Sequence, residues 1–365
     1  MRELMQQGDS ASGGRGTAGL ASVLLAVGLA SGCAQDPILT YESPAPAQVL
    51  STVEAAGVED GRARFRQLFC QSFDAIGAPE GGKPACGDYL HRLVDEPAAE
   101  TQPAGAPAPL ASVRFIVVPG FMGDATPSGM RAMGTGIDRL AGKGYRIEYV
   151  NVSGGGGGGY NGEQIAAFFR DRDFSEQEKL VVIGYSKGTI DLLHFLVEHP
   201  DLARHVDAMV SYAGAVNGSA LAEVFPQILI DTAIALGGSD PGDEAGFRAL
   251  KPSVQMSWLA ANPLPAHIKY FSLVSYTDRE NVSGVLTDGY DRLSQINPRN
   301  DGQLIFYDQV LPRSILLGYV NADHWAVALA FSEKSPTMAS TVVTKNVFPR
   351  EALLEAVLLY VREGL

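Results

Sequence analysis

Cysteine and histidine are both scarce in this chain, with three and six among 365 residues. No histidine or second cysteine stands at the spacing that holds a metal ion, so neither a metal site nor a cofactor is expected. Basic charge is also in deficit. The 28 Lys and Arg face 41 Asp and Glu, a formal net charge of −13, and a nucleic-acid backbone would be repelled. No segment spells G-x-x-x-x-G-K-[ST]: where glycine, lysine and threonine crowd together the order is Ser186-Lys187-Gly188-Thr189, which cradles no phosphate. The glycines from Gly154 to Gly159 lack a following lysine and a helix start, and read as a mobile loop rather than an anion nest. No internal repeat is visible. The apolar run Ala18 to Ala30 is too short to span a bilayer as a mature helix, and no other stretch approaches that length.

What is present is a large core. With 46% hydrophobic residues the chain can fill one large α/β domain plus a smaller appendage. From Ser112 onward, strand-like and helix-like patterns alternate, the signature of a mostly parallel sheet flanked by helices. Strands are expected at Val113–Val118, Arg146–Val150, Leu180–Ile183, Val206–Tyr212, Ile268–Tyr276 and Ser314–Val320, and a last helix at Pro349–Val361. Residues 220–262 are helix-like without a strand pattern and suit an insert, a cap or lid over the site. Upstream, Phe65, Leu68, Phe69, Phe73 and Ile76 recur at helical spacing, and a second short helix is expected around Tyr89–Leu93. The proline- and alanine-rich Thr101–Leu110 marks the boundary between this extension and the main domain.

The most informative segment is Gly184-Tyr185-Ser186-Lys187-Gly188, which follows the apolar run Leu180–Ile183 and leads into the apolar Thr189–Val197. A strand, a turn pinched between two glycines and a helix, with serine at the apex, is the setting of a nucleophile elbow. The strained turn needs glycine on both sides because a side chain there would strike the neighbouring strand or helix. The helix N-terminus then lies beneath the reacting centre. The Lys187 ammonium is expected to pair with Asp191 one turn on.

On these residues the chain, over about 112–365, resembles the α/β-hydrolase fold and within it the bacterial lipases and esterases. Val118-Pro119-Gly120-Phe121-Met122-Gly123-Asp124 resembles the H-G-x-x-G loop of that group, with Pro119 where histidine is usual. The resemblance implies an oxyanion hole made by the backbone N–H groups of Phe121 and Lys187. Gly218-Ser219-Ala220-Leu221-Ala222 resembles the G-[ST]-x-x-A segment after the next strand.

The base is found by position. His194 and His199 lie on or after the elbow helix, His205 in a polar turn, His91 in the extension and His267 before a strand at the wrong end of the sheet. His324 remains, in the loop after Ser314–Val320, where ligands gather and where the order Ser, acid, His places it. For the acid, Asp301 in Asn300-Asp301-Gly302 resembles the lipase N-D-G turn and is followed by a strand-like run, Gln303–Tyr307. Asp278, directly after a strand, stays a competitor, and Asp323 stands too close to the histidine to brace its far nitrogen. The resemblance thus implies an ester hydrolase acting through Ser186, His324 and Asp301, on an ester substrate that extends to lipids and polyesters. Acyl transfer by the same triad, and a non-catalytic partner-binding hydrolase-like domain, are the alternatives.

The N-terminus resembles a bacterial lipoprotein signal. Leu29-Ala30-Ser31-Gly32-Cys33 places small residues before a cysteine that would be lipidated after cleavage, and an ordinary secretory peptide is the alternative. Residues 1–32 are then the signal, 33–60 a tether, 61–110 the helical extension with its linker, and 111–365 the hydrolase domain. Ala34 after Cys33, rather than aspartate, implies the outer membrane, with the lipid chains as anchor. Once Cys33 is assigned, Cys70 and Cys86 remain as an even pair in an exported protein. Their disulfide would close a loop of about 15 residues, worth roughly 3 kcal/mol.

Overall fold

Segments rich in branched and aromatic residues become strands here because a pleated, buried surface accommodates them best. The computed structural model describes residues 57–93, 95–98, 108–121, 131–175, 177–226, 228, 244–331 and 347–365. In chain order these form β1 (Glu59–Asp60), α1 (Arg62–Ile76), β2 (Leu90–His91), β3 (Val113–Val118), α2 (Gly134–Gly142), β4 (Arg146–Tyr149) and α3 (Gly158–Arg170). Then come β5 (Lys179–Tyr185), α4 (Gly188–Glu198), β6 (Val206–Tyr212), α5 (Ala220–Val224), α6 (Glu244–Ala249) and α7 (Pro252–Ala261). Last are β7 (Lys269–Tyr276), α8 (Thr287–Ser294), β8 (Ser314–Asn321) and α9 (Arg350–Glu363).

The eight strands make one sheet in the order β1-β8-β7-β6-β5-β3-β4, with β2 also on β8. Every pairing is parallel except β2 with β8. Alternate residues of each strand serve opposite faces. Val113, Phe115 and Val117 of β3 join one core with α1 and α9, while Ile116 and Val118 join the other with α3 and α4. Burial on both faces is why these strands read as nearly unbroken apolar runs.

The extension departs from the helical hairpin expected of it. Phe65, Leu68, Phe69 and Phe73 of α1 are buried as their spacing implied, each contributing about 1.5–3 kcal/mol. The segment around Tyr89–Leu93 is instead a tight turn followed by β2, paired antiparallel to Tyr319 and Val320. Glu59 and Asp60, at the end of the expected tether, pair with Ile315 and Leu316. An unpaired sheet edge satisfies its backbone groups with whatever extended chain lies near, and local helical preference yields to it. The structure joins Cys70 of α1 to Cys86 of the turn, with Cα atoms 5.2 Å apart.

Two further expectations are corrected. The glycine run opens a helix after all, since α3 begins at Gly158. A Cβ on Gly158 would lie 2.4 Å from the His194 ring, and one on Gly162 would lie 3.1 Å from the Phe195 amide nitrogen. Glycine is used there for close approach of α3 to α4 rather than for mobility. Gln303–Tyr307 is no strand: Asn300 bridges Ile305, and a 3₁₀ turn, Phe306–Gln309, follows. The signal, Cys33 and the tether up to residue 56 lie outside the described residues, as do Met122-Gly123-Asp124, residues 101–107 of the linker and 229–243 of the insert. Among the described residues no helix is long and apolar enough to cross a membrane.

Candidate active site

The chain leaves β5 and must reverse into α4 within a few residues. Ser186 takes up the reversal with φ +54°, a left-handed backbone that costs a non-glycine residue about 1–3 kcal/mol. A Cβ on Gly184 would lie 2.6 Å from Thr189 Cα, and one on Gly188 would lie 2.4 Å from the carbonyl oxygens of Val118 and Pro119. Both flanking glycines are thus required by backbone proximity. The Thr189 hydroxyl donates to Gly184 O at 2.8 Å and the Ala215 amide to Ser186 O at 3.0 Å, clamping the turn.

At the same C-terminal sheet edge, His324 Nε2 lies 2.8 Å from Ser186 Oγ, and His324 Nδ1 lies 2.8 Å from Asp301 Oδ2. Ser186, His324 and Asp301 are all buried, with relative exposures of 8%, 1% and 0%. Asp301 is held by its own turn: Oδ1 accepts from the Gln303 and Leu304 amides at 2.9 and 2.7 Å, and Gly302 supplies φ +91°. Its Oδ2 also accepts from Ser275 Oγ at 2.7 Å. The His324 amide donates to Asp301 O at 2.8 Å, and Tyr185 OH donates to His324 O at 2.7 Å. Burial pushes the Tyr185 hydroxyl well above its usual range, so it remains a donor.

Asp278, the competing acid, is exposed. Asp323 is buried but serves the loop instead. It accepts from the Ser283 amide and hydroxyl and from the Trp325 and Ala326 amides, pinning the segment that carries His324. Burial raises its carboxyl above the ordinary range. The Lys187 ammonium meets both Asp191 oxygens at 2.7 and 3.0 Å, and both side chains are buried. Burial pushes Asp191 up while Lys187 pulls it down. A Cβ on Gly120 would lie 2.8 Å from Ser186 Cβ, so the chain carrying Phe121 passes directly over the serine. Phe121 is half-buried and meets Phe247 of α6 at 4.7 Å between ring centroids. Among the described residues no cluster of three or more His, Cys, Asp or Glu could hold a metal ion.

This strand–elbow–helix with its imidazole and carboxylate invites comparison with solved structures. A metagenomic carboxyl esterase matches with a TM-score of 0.77 and 34% identity, over 87% of this chain and 96% of that one. The chain belongs to the α/β-hydrolase family. Two more distant α/β neighbours share the fold alone. EstA from Clostridium botulinum has a TM-score of 0.53 and 12% identity, over 83% of this chain and 99% of its own. Lipase 1 from Pelosinus fermentans has a TM-score of 0.50 and 12% identity, over 68% and 98%. Comparison with family models and with curated proteins finds no match.

Of the residues singled out in this hydrolase by sequence, Ser186, His324 and Asp301 are brought into one hydrogen-bonded line, and Phe121 and Lys187 flank its serine end. His91, His194, His199, His205 and His267 lie elsewhere; His194, for example, stacks on Trp258 at 4.0 Å. Sequence reasoning missed Ser275 and Gln309, which bond each other and Asp301 across 34 residues of chain, and no local signal could have found them. It also missed Asn161, whose buried amide donates to Asp191 beside Lys187.

Proposed function

We propose that this α/β-hydrolase cleaves carboxylic esters through an acyl-enzyme on Ser186. The observation that carries the reading is the unbroken line from Ser186 Oγ through the His324 ring to Asp301, in a buried site. Ser186 Oγ attacks the ester carbonyl carbon as His324 Nε2 takes its proton. The negative charge that develops on the carbonyl oxygen is met by the Phe121 and Lys187 amides. Asp301 keeps the imidazole proton on Nδ1 and stabilises the cation. The tetrahedral adduct collapses, the alkoxide leaves with the proton from Nε2, and the acyl group stays on Oγ. Water then repeats the sequence, with its proton passing to His324, and releases the acid and free Ser186.

The half-buried Phe121 and Phe247 beside the serine, continuous with the apolar cluster of Ile190, Leu221 and Leu250, favour an apolar acyl or alcohol part. Hydrolysis of an ester series from acetyl to palmitoyl by the purified protein tests this. Turnover abolished in Ser186→Ala supports the reading, and turnover retained there contradicts it. We further propose export and anchoring through a lipidated Cys33, on the strength of the signal-like sequence before it. Loss of the protein from the membrane fraction in Cys33→Ser is the expected result.

A further inference from the structure

The oxyanion amides of Phe121 and Lys187 belong to different elements, so something must hold them in register. We propose that the glycine run at Gly155 and Gly156 does this, with Asn161 and Asp191 as positioning residues for Lys187 and the Gly246-Phe247 pair for Phe121. The proposal rests on Ser186 being the nucleophile.

On the Lys187 side the chain of contacts is continuous and buried. Lys187 Nζ donates to both oxygens of Asp191 at 2.7 and 3.0 Å. Asn161 Nδ2, at 0% exposure, donates to Asp191 Oδ2 and to Ser153 O, each at 2.9 Å. A buried ammonium paired at its tip gives the lysine side chain one path, and its backbone amide cannot swing without pulling opposite charges apart. On the Phe121 side, the Gly246 amide donates to Gly155 O at 2.8 Å, and Phe247 packs its ring on Phe121.

Both arms end on the same loop, and both require glycine where they meet it. A Cβ on Gly156 would lie 2.2 Å from Asn161 Oδ1. A Cβ on Gly246 would lie 2.6 Å from Gly155 O and 3.0 Å from Phe121 Cε2. Neither position carries a positive φ, so close approach alone explains these glycines. A run that reads as flexible in the sequence thus joins the two halves of an electrostatic site. Sites of this kind work by being preorganised before charge develops.

The perturbation that leaves the buried charges in place is Gly156→Ala, which forces Asn161 aside. Gly156→Ala, Asn161→Ala and Phe247→Ala are compared with wild type, with rates expressed per active site titrated by a fluorophosphonate. Gly156→Ala and Asn161→Ala should each lower kcat about tenfold or more with KM within about threefold, since sub-ångström misplacement acts on the transition state more than on binding. Phe247→Ala, which also removes apolar surface beside the serine, should lower kcat by a similar factor whatever it does to KM. In the Asn161→Ala background Gly156→Ala should add less than about twofold, because the closest collision is gone and the remaining neighbour, Tyr160 Cδ1 at 3.0 Å, belongs to an exposed ring that can turn away. A role in folding alone would lower thermal stability and yield while leaving kcat per titrated site unchanged. Values within twofold of wild type, or a change confined to KM, overturn the proposal. Phe247→Ala removes no buried polar group and supplies the readout if Asn161→Ala does not accumulate. Failure of the parent reading looks different: Ser186→Ala would then keep its activity and wild type would not be labelled.

Discussion

Replacing Asp301 by asparagine changes one atom and should nearly stop the chemistry. Oδ1 accepts two backbone N–H groups, from Gln303 and Leu304, while Oδ2 faces His324 Nδ1, Ser275 Oγ and, at 3.4 Å, Gln309 Nε2. An asparagine will keep its carbonyl oxygen in the turn, because flipping the amide would leave two buried N–H donors facing an NH2, at about 1–3 kcal/mol each. The NH2 group then points at His324 Nδ1, which must accept. The imidazole proton moves to Nε2, where it faces Ser186 Oγ and blocks proton transfer. A wrong tautomer of this kind lowers kcat by about 10⁴, or about 5.5 kcal/mol of activation free energy. Shape and the turn's hydrogen bonds are kept and only the long Gln309 contact is lost, so the circular dichroism spectrum and thermal midpoint should change little. The assay is hydrolysis of a chromogenic butyrate ester, with the exposed Asp278→Asn as control at near wild-type rate. A folded Asp301→Asn within tenfold of wild type would refute the reasoning, as would a crippled Asp278→Asn.

Three other outcomes are expected. Asp308 is buried with Oδ2 unpartnered, and burial pushes its carboxyl up to about 7. The folded state therefore holds a proton that the unfolded state has lost above about pH 4, so this group lowers stability as pH rises from about 4 to 7 and adds no further slope above that. A shift of about three units is worth on the order of 4 kcal/mol, so Asp308→Asn should flatten that part of the denaturation-versus-pH curve and be the more stable protein at pH 8. A parallel pair of curves contradicts it. Unreduced peptide mapping should recover Cys70 linked to Cys86, and Cys70→Ser should lose about 3 kcal/mol in urea unfolding; two alkylatable thiols in the native protein would refute the bond. Gly188→Ala, whose Cβ would lie 2.4 Å from two carbonyl oxygens, should lower turnover by about 10² through a displaced elbow; wild-type turnover would contradict the close packing.

The sheet was legible because strands buried on both faces have little choice of composition, and the elbow because its strain demands glycine on both sides of Ser186. Asn300-Asp301-Gly302 announced its turn through local side-chain chemistry, and His324 emerged because so few histidines compete. What remained hidden depends on distance in the chain. Ser275 and Gln309 meet Asp301 only once β7 and the turn before β8 are in place. The two-residue strands β1 and β2 carry no periodic signal, and they form because β8 would otherwise leave an open edge. Glycine is the most ambiguous letter: Gly154–Gly159 has the composition of a mobile loop, whereas Gly156, Gly158 and Gly162 are packed against side chains and backbone.

The central claim is that Ser186 is a nucleophile activated by His324. A fluorophosphonate reports this directly, because it forms a covalent bond only with an activated serine hydroxyl. Intact-protein and peptide mass spectrometry after labelling should show one adduct per chain, on the peptide containing Ser186, with none in Ser186→Ala and a greatly slowed reaction in His324→Ala. Labelling at another residue, or unchanged labelling of the Ser186→Ala protein, would contradict the account.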